Sequence, residues 1–332
     1  MTLEQRIRRA EAELFDRLGA EVEESFLDLA TTGVRVRSLS HGSGPPLVLL
    51  HGVSLSAAAW APLFSALSGW RVLAVDLPGH GLSDPDSYRR GQVRQRAREL
   101  IDDIFDALEL DEASVVGHSL GGMFAVWHAA GGTERISRLV AIGEPAVALP
   151  GVRVRMPLSL LTVRGVGLAV LRSPSPRPVY RSLLAQGLGR AEVAAAPDCL
   201  IEALRLSARR PGNARTVGSL MHAIDRFRRP RPESVLTTAE LRAISVPTMF
   251  IWGASAPYLT AERARPSIDQ IPAATLHQVP GGHGPWLVDT ERCAALIRSH
   301  LIATLPGVSP RGVVRTHPPA VTRERGSPVV PD

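Results

Sequence analysis

The densest chemical signal is Gly117-His118-Ser119-Leu120-Gly121-Gly122. It follows Ser114-Val115-Val116, a short run of strand character, and opens a helical pattern over 120–130. A serine on so sharp a strand-to-helix turn sits in strained backbone geometry that only small neighbours tolerate, and Gly117 and Gly121 supply that room. Its Oγ is left exposed above the sheet edge, with the positive end of the following helix behind it. Such a serine can attack an acyl carbon and carry the acyl group covalently. The oxyanion formed in that attack needs two pre-aimed backbone N–H donors. Leu120, next after the serine, is expected to supply one. The other is expected from the loop after the buried run 47–50, which reads Leu50-His51-Gly52-Val53, with Val53 as donor. His51 is expected to shape that loop rather than move protons.

These residues need a frame. Segments 23–29 and 34–39 alternate apolar and polar residues and read as a hairpin. After them, apolar runs at 47–50, 72–75, 114–116, 139–142, 248–252 and 275–279 are mostly separated by helical patterns such as 93–108 and 120–130. Uninterrupted apolar strands are buried on both faces. The pattern therefore predicts an α/β fold: a mostly parallel sheet, helices on both faces, and an antiparallel pair at one edge. From 145 to 244 the chain is helical in character and holds no convincing strand. A structureless loop of that length is improbable, so a helical cap inserted after strand 6 is expected, lying over the C-terminal edge of the sheet. The plan is then an amphipathic helix at 1–22, a core at 23–144 and 245–305, a cap at 145–244 and a tail at 306–332. That tail carries six prolines, lacks periodicity, and is expected to be disordered.

Bulk properties exclude several classes. With 45% hydrophobic and 21% charged residues, a globular protein with a sizeable core is expected. The longest apolar stretch, 156–171, is interrupted by Arg164, so no membrane span is predicted. The N-terminal MTLEQRIRRAEAELF interleaves charges with apolar residues at helical spacing, unlike a signal peptide, and a cytoplasmic location is expected. Cys199 and Cys293 match no disulfide framework or metal spacing and are expected to be free, buried thiols. The net charge of +6 rests on 38 cations that are all arginine and scattered along the chain. A G+C-rich genome explains that preference better than a phosphate-binding surface. Arg226, Arg228, Arg229 and Arg231 have only Phe227 as an aromatic neighbour, so they read as a solvated face and no nucleic-acid partner is predicted. The expected partner is a small-molecule substrate, with no cofactor and no metal.

The run 72–75 is followed by Asp76-Leu77-Pro78-Gly79-His80-Gly81-Leu82-Ser83-Asp84. This stretch, the His-Gly loop and the Gly-His-Ser-x-Gly-Gly turn occur in the order and spacing of the α/β-hydrolase fold family. From about 23 to 305 the chain resembles its serine esterase, haloperoxidase-like and C–C hydrolase branches. The resemblance implies an eight-stranded sheet and a structural role for 76–84. It also makes Pro280-Gly281-Gly282-His283-Gly284-Pro285-Trp286 the histidine loop, with His283 as the base for Ser119. An imidazole suits that task because it can take the serine proton and return it to a leaving group.

One position departs from the family pattern. The usual acid lies three residues after the glycine that ends the penultimate strand, and here that position is Ala256. Some members place the acid instead after the preceding strand, where this chain reads Gly143-Glu144-Pro145. Glu144 is therefore expected to orient His283. A Ser–His pair without an acid, or a role for Asp269 or Asp289, stays open, although Asp289 sits where it would cap the last helix. Serine in place of aspartate at the nucleophile argues against dehalogenase and epoxide hydrolase chemistry. Hydrolysis of a carboxylic ester is the leading expectation. C–C cleavage, thioester hydrolysis, a biosynthetic cyclisation, or a binding protein with a degenerate triad are the alternatives. The apolar stretch 156–163 suggests a hydrophobic acyl or aryl group, or simply packs the cap on the core.

Overall fold

The central apolar runs become strands here because they bury side chains on both faces of one sheet. The computed structural model describes residues 1–303 apart from Thr133, Arg155, Pro157, Arg164 and Pro174; the expected tail at 306–332 lies outside the described residues. The strands are β1 (Glu23–Asp28), β2 (Arg35–His41), β3 (Pro46–Leu50), β4 (Arg71–Val75), β5 (Ala113–His118), β6 (Ile136–Ile142), β7 (Thr248–Gly253) and β8 (Ala274–Val279). They form one sheet in the order β1-β2-β4-β3-β5-β6-β7-β8. The β1–β2 and β2–β4 pairs are antiparallel and the others parallel. This is the eight-stranded, mostly parallel sheet expected of the α/β class.

Alternate residues of one strand feed two separate cores, as the two-residue period of a strand requires. Val48, Leu50, Val115 and Leu139 pack against α3 (Val93–Ala107) and α4 (Leu120–Ala129), with α11 (Ala261–Ile268) beside them. Leu47, Leu49, Val116 and Val140 face α1 (Leu3–Leu18), α2 (Ala61–Phe64) and α12 (Thr290–Ile302) on the other side. Helix α4 is buried along its whole length, so it carries apolar residues all round. Trimming Phe124 there to alanine would cost about 3–5 kcal/mol. Helix α1 begins at a capping box between Thr2 and Gln5 and ends at Gly19, whose φ of 61° suits glycine.

Between β6 and β7 lies the helical cap. Its helices are α5 (Val166–Arg172), α6 (Arg177–Gly187), α7 (Arg190–Ala195), α8 (Asp198–Ser207), α9 (Asn213–Ile224) and α10 (Thr238–Arg242). The cap is held from outside as well, since Ile7 of α1 clusters with Leu206 of α8 and Leu82. Cys199 and Cys293 are free and buried. One expectation needs correction. Arg226, Arg228 and Arg229 are exposed, but Arg231 is buried and its Nε donates to the His222 carbonyl at 3.0 Å. Its apolar stem and one satisfied donor take it out of the solvated face.

Candidate active site

Strand β5 delivers the chain to Ser119, which turns it into α4 with φ 49° and ψ −106°. A non-glycine residue in that region is strained by about 1–3 kcal/mol, and the packed elements on either side must hold it there. Gly121 shows why the turn is so tight. A Cβ on it would lie 2.2 Å from the Leu50 carbonyl oxygen, and its N–H donates to the His51 carbonyl at 3.0 Å. The serine turn is thereby fastened to the end of β3 and the loop that carries Val53. The Leu120 N–H begins α4 and has no acceptor within that helix. Ser119 is only 7% exposed.

His283 comes from the loop after β8 and Glu144 from the end of β6. Gly143, at φ 68°, lets the two loops approach, since a Cβ there would lie 2.4 Å from the His283 carbonyl oxygen. His283 Nδ1 hydrogen-bonds Glu144 Oε2. A carboxylate acceptor there assigns the ring proton to Nδ1 and leaves Nε2 as the acceptor on the other side of the ring. The second oxygen of Glu144 accepts the N–H groups of Tyr258 at 2.9 Å and Leu259 at 3.2 Å. Those two amides belong to the loop through Ala256, so the segment that lacks an acid supplies donors to the displaced one. Burial pushes the Glu144 carboxyl up, but His283 and the amide donors outweigh it and hold it below the usual carboxylate range. The backbone of His283 is held as firmly: its N–H donates to the Leu188 carbonyl at 2.7 Å and its carbonyl accepts from His118 Nε2 at 3.0 Å. Burial, together with the nearby His283, drives His118 well below the usual histidine range and keeps it neutral.

Ser119, His283 and Val53 line one cavity of 240 Å³ beneath the cap. Its walls are largely apolar and include Leu158, Leu161, Leu184 and Met221. Leu158, Leu160 and Leu161, from the apolar stretch 156–163, therefore face the site.

Residues 45–290 match the family described as the alpha/beta hydrolase fold. The chain belongs to that family. Haloalkane dehalogenase from Agrobacterium fabrum is 37% identical over 122 residues, which are 36% of this chain and 39% of that protein. A 2-hydroxy-6-oxononadienedioate/2-hydroxy-6-oxononatrienedioate hydrolase from Cupriavidus pinatubonensis is 28% identical over 258 residues, 74% of this chain and 83% of that one. The crystal structure of carboxylesterase CesB (YbfK) from Bacillus subtilis superposes with a TM-score of 0.74 at 23% identity, over 92% of this chain and 100% of that chain. That last likeness is one of fold.

Other residues of this α/β hydrolase fall into place around the site. His51 Nε2 accepts the Leu77 N–H at 2.9 Å and Nδ1 meets the Gly52 carbonyl at 2.7 Å. Burial and the neighbouring His80 push His51 down to about 3, so it stays neutral and shapes the loop. Asp289 accepts the Arg292 N–H and Asp269 follows the end of α11, so neither is bonded to His283. Among the described residues, no group of three or more His, Cys, Asp or Glu side chains could hold a metal ion. None of the helices described is long and apolar enough to cross a membrane.

Two groups of residues had no signal in the sequence. Glu192, on the cap helix α7, is buried and accepts the Gly282 N–H beside His283. Arg37, of β2, is fully buried in a bidentate pair with Glu11 of α1 at 2.7 and 2.8 Å, and its Nε donates to Asp76 at 2.7 Å. Asp76 also accepts the N–H groups of Ala57 at 2.7 Å and Leu82 at 2.8 Å. It thus pins the loop between β3 and α2, on which Val53 sits.

Proposed function

We propose that this α/β hydrolase cleaves a carboxylic ester of a small hydrophobic substrate through an acyl-enzyme on Ser119. The observation that carries the reading is the Glu144–His283 hydrogen bond at the wall of an apolar cavity that also holds Ser119. Ser119 Oγ attacks the carbonyl carbon as His283 Nε2 takes its proton. The carbonyl pair moves onto oxygen, where the Val53 and Leu120 amides receive it. The C–O bond to the leaving group then breaks, and His283 returns the proton to the departing alkoxide. Water adds to the acyl-enzyme by the same path, gives its proton to His283, and releases the acid and free Ser119. One water is consumed overall. Glu144 takes no proton; it fixes the tautomer and stabilises the imidazolium.

The cap, taken as 145–244, sets substrate choice in this reading because it closes the cavity over Ser119. A cytoplasmic location belongs to the same proposal, supported by two unpaired thiols at Cys199 and Cys293. Hydrolysis of a C–C bond is the second reading, favoured by the coverage of the oxononadienedioate hydrolase relative; product analysis separates it from ester cleavage. The primary test is labelling with a fluorophosphonate probe. One equivalent on Ser119 by peptide mass, absent in Ser119→Ala, is expected. A well-folded protein that stays unlabelled under denaturant-free conditions would remove the activated serine from the reading.

A further inference from the structure

The cavity does not end in apolar residues. Away from Ser119 it reaches Ser173, Ala208 and Arg209, and it shares these with a second hollow lined by Arg172, Arg210 and Arg215. Among the described residues, no aspartate or glutamate lines either space. Two of the cations near this passage are committed elsewhere. Arg205 is paired with Glu202 at 2.7 and 2.9 Å, while Arg210 bonds Glu4 and the Ser83 carbonyl. Arg172, Arg209 and Arg215 are exposed, and their side chains have no ion pair or hydrogen bond among the described residues. Ordinary protein surfaces intersperse both signs of charge, and an opening rimmed by one sign focuses its field along the passage. The first turn of α9 adds to that field, since its N-cap, Gly212, provides no side-chain acceptor.

We infer that the substrate is an amphiphile: an apolar spacer with the scissile acyl bond at Ser119 and an anionic group held at the outer opening by Arg172, Arg209 and Arg215. Carboxylate and phosphate share the chemistry these guanidinium groups recognise. The anion could belong to the far end of the acyl chain or to the leaving group, and the two sources have separate probes. This proposal rests on the ester-hydrolase reading for the position of the scissile bond.

Ser119→Ala protein allows binding to be measured without turnover. Titration calorimetry would compare monomethyl suberate and sebacate with their dimethyl esters, and S-octanoyl phosphopantetheine with S-octanoyl pantetheine. In at least one pair the anionic member is expected to bind about tenfold more tightly, as three partly screened charge contacts allow. That ratio is expected to shrink as salt rises and to fall to near one in the Arg172→Gln, Arg209→Gln, Arg215→Gln variant. Equal binding within both pairs, or a preference that survives the triple variant, overturns the inference. Fluorophosphonate labelling of wild-type Ser119, run in parallel, reports on the ester reading alone, so either reading can fail without the other.

Discussion

Two buried clusters in this molecule pair carboxylates with nitrogen-bearing side chains, and they are built for opposite ends. In the first, Arg37 lies between Glu11 and Asp76, and the Ala57 and Leu82 N–H groups also donate to Asp76. In the second, Glu144 lies between His283 and the Tyr258 and Leu259 amides. Both are almost dry: Arg37, Asp76 and Glu144 are 0% exposed. The nitrogen partner makes the difference. A guanidinium cannot give up its proton, and its neighbours drive it still further from doing so. The first cluster is therefore a fixed charge set that joins α1, β2 and the loop after β4. An imidazole beside a carboxylate can gain and lose a proton without leaving its place. Of the two, the second opens onto the cavity that Ser119 also lines.

Glu144→Gln should break the second cluster most selectively. The amide keeps the volume but offers an N–H₂ or a neutral oxygen to His283 Nδ1, so the imidazolium loses its counter-charge and the tautomer is no longer imposed. A fall of about 10⁴-fold in kcat is expected, with the melting temperature little changed. Ester turnover and thermal unfolding measured on the same preparation check this. Activity near wild type would return the acid's role to another group or to none.

Arg37→Met should break the first cluster instead. It leaves Glu11 and Asp76 buried without their cation, which costs about 3–5 kcal/mol of stability. Folded molecules should retain most of their kcat, because Asp76 still accepts the Ala57 amide behind the Val53 loop. Denaturant unfolding and active-site titration separate the two quantities. If Arg37→Met lost kcat as deeply as Glu144→Gln while remaining folded, the division between a structural and a chemical cluster would be wrong.

How much of this was legible beforehand depends on the length of chain each feature spans. The strand runs and the Gly117–Ser119–Gly121 turn are local patterns, and all eight strands formed within a few residues of their expected places. The contact between Glu144 and His283 could be read because the lack of an acid at Ala256 narrowed the choice to strand ends that the sheet order makes neighbours. Arg37 gave no such signal: its partners are 26 and 39 residues away, on elements whose docking no periodicity reports. Arg231 was misplaced for the same reason, since its neighbours are chosen by how the cap closes. The unpaired arginines of the outer opening were visible only as composition. Their meaning comes from the cavity that ends among them.

Glu192 lies between the two clusters in character, and it yields the smallest expected effect. It is buried in the cap, yet it accepts the amide next to His283, 90 residues along the chain. With the Leu188 carbonyl, which accepts the His283 N–H, it ties the histidine loop to the α6–α7 turn. Its hydrogen bond goes to the Gly282 backbone and not to Ser119 or the His283 ring, so it is a positioning residue. Glu192→Leu would leave the Gly282 N–H without an acceptor, costing about 1–3 kcal/mol. Part of that cost should appear as a looser histidine and a drop of about tenfold in kcat, about 1.4 kcal/mol of barrier, with KM changed less. Glu192→Gln keeps an acceptor oxygen and should recover most of the loss. A purely structural role would lower the melting temperature in both variants and leave kcat and its pH profile where they were. The contrast between leucine and glutamine therefore decides whether the cap merely covers the site or also holds its base in line.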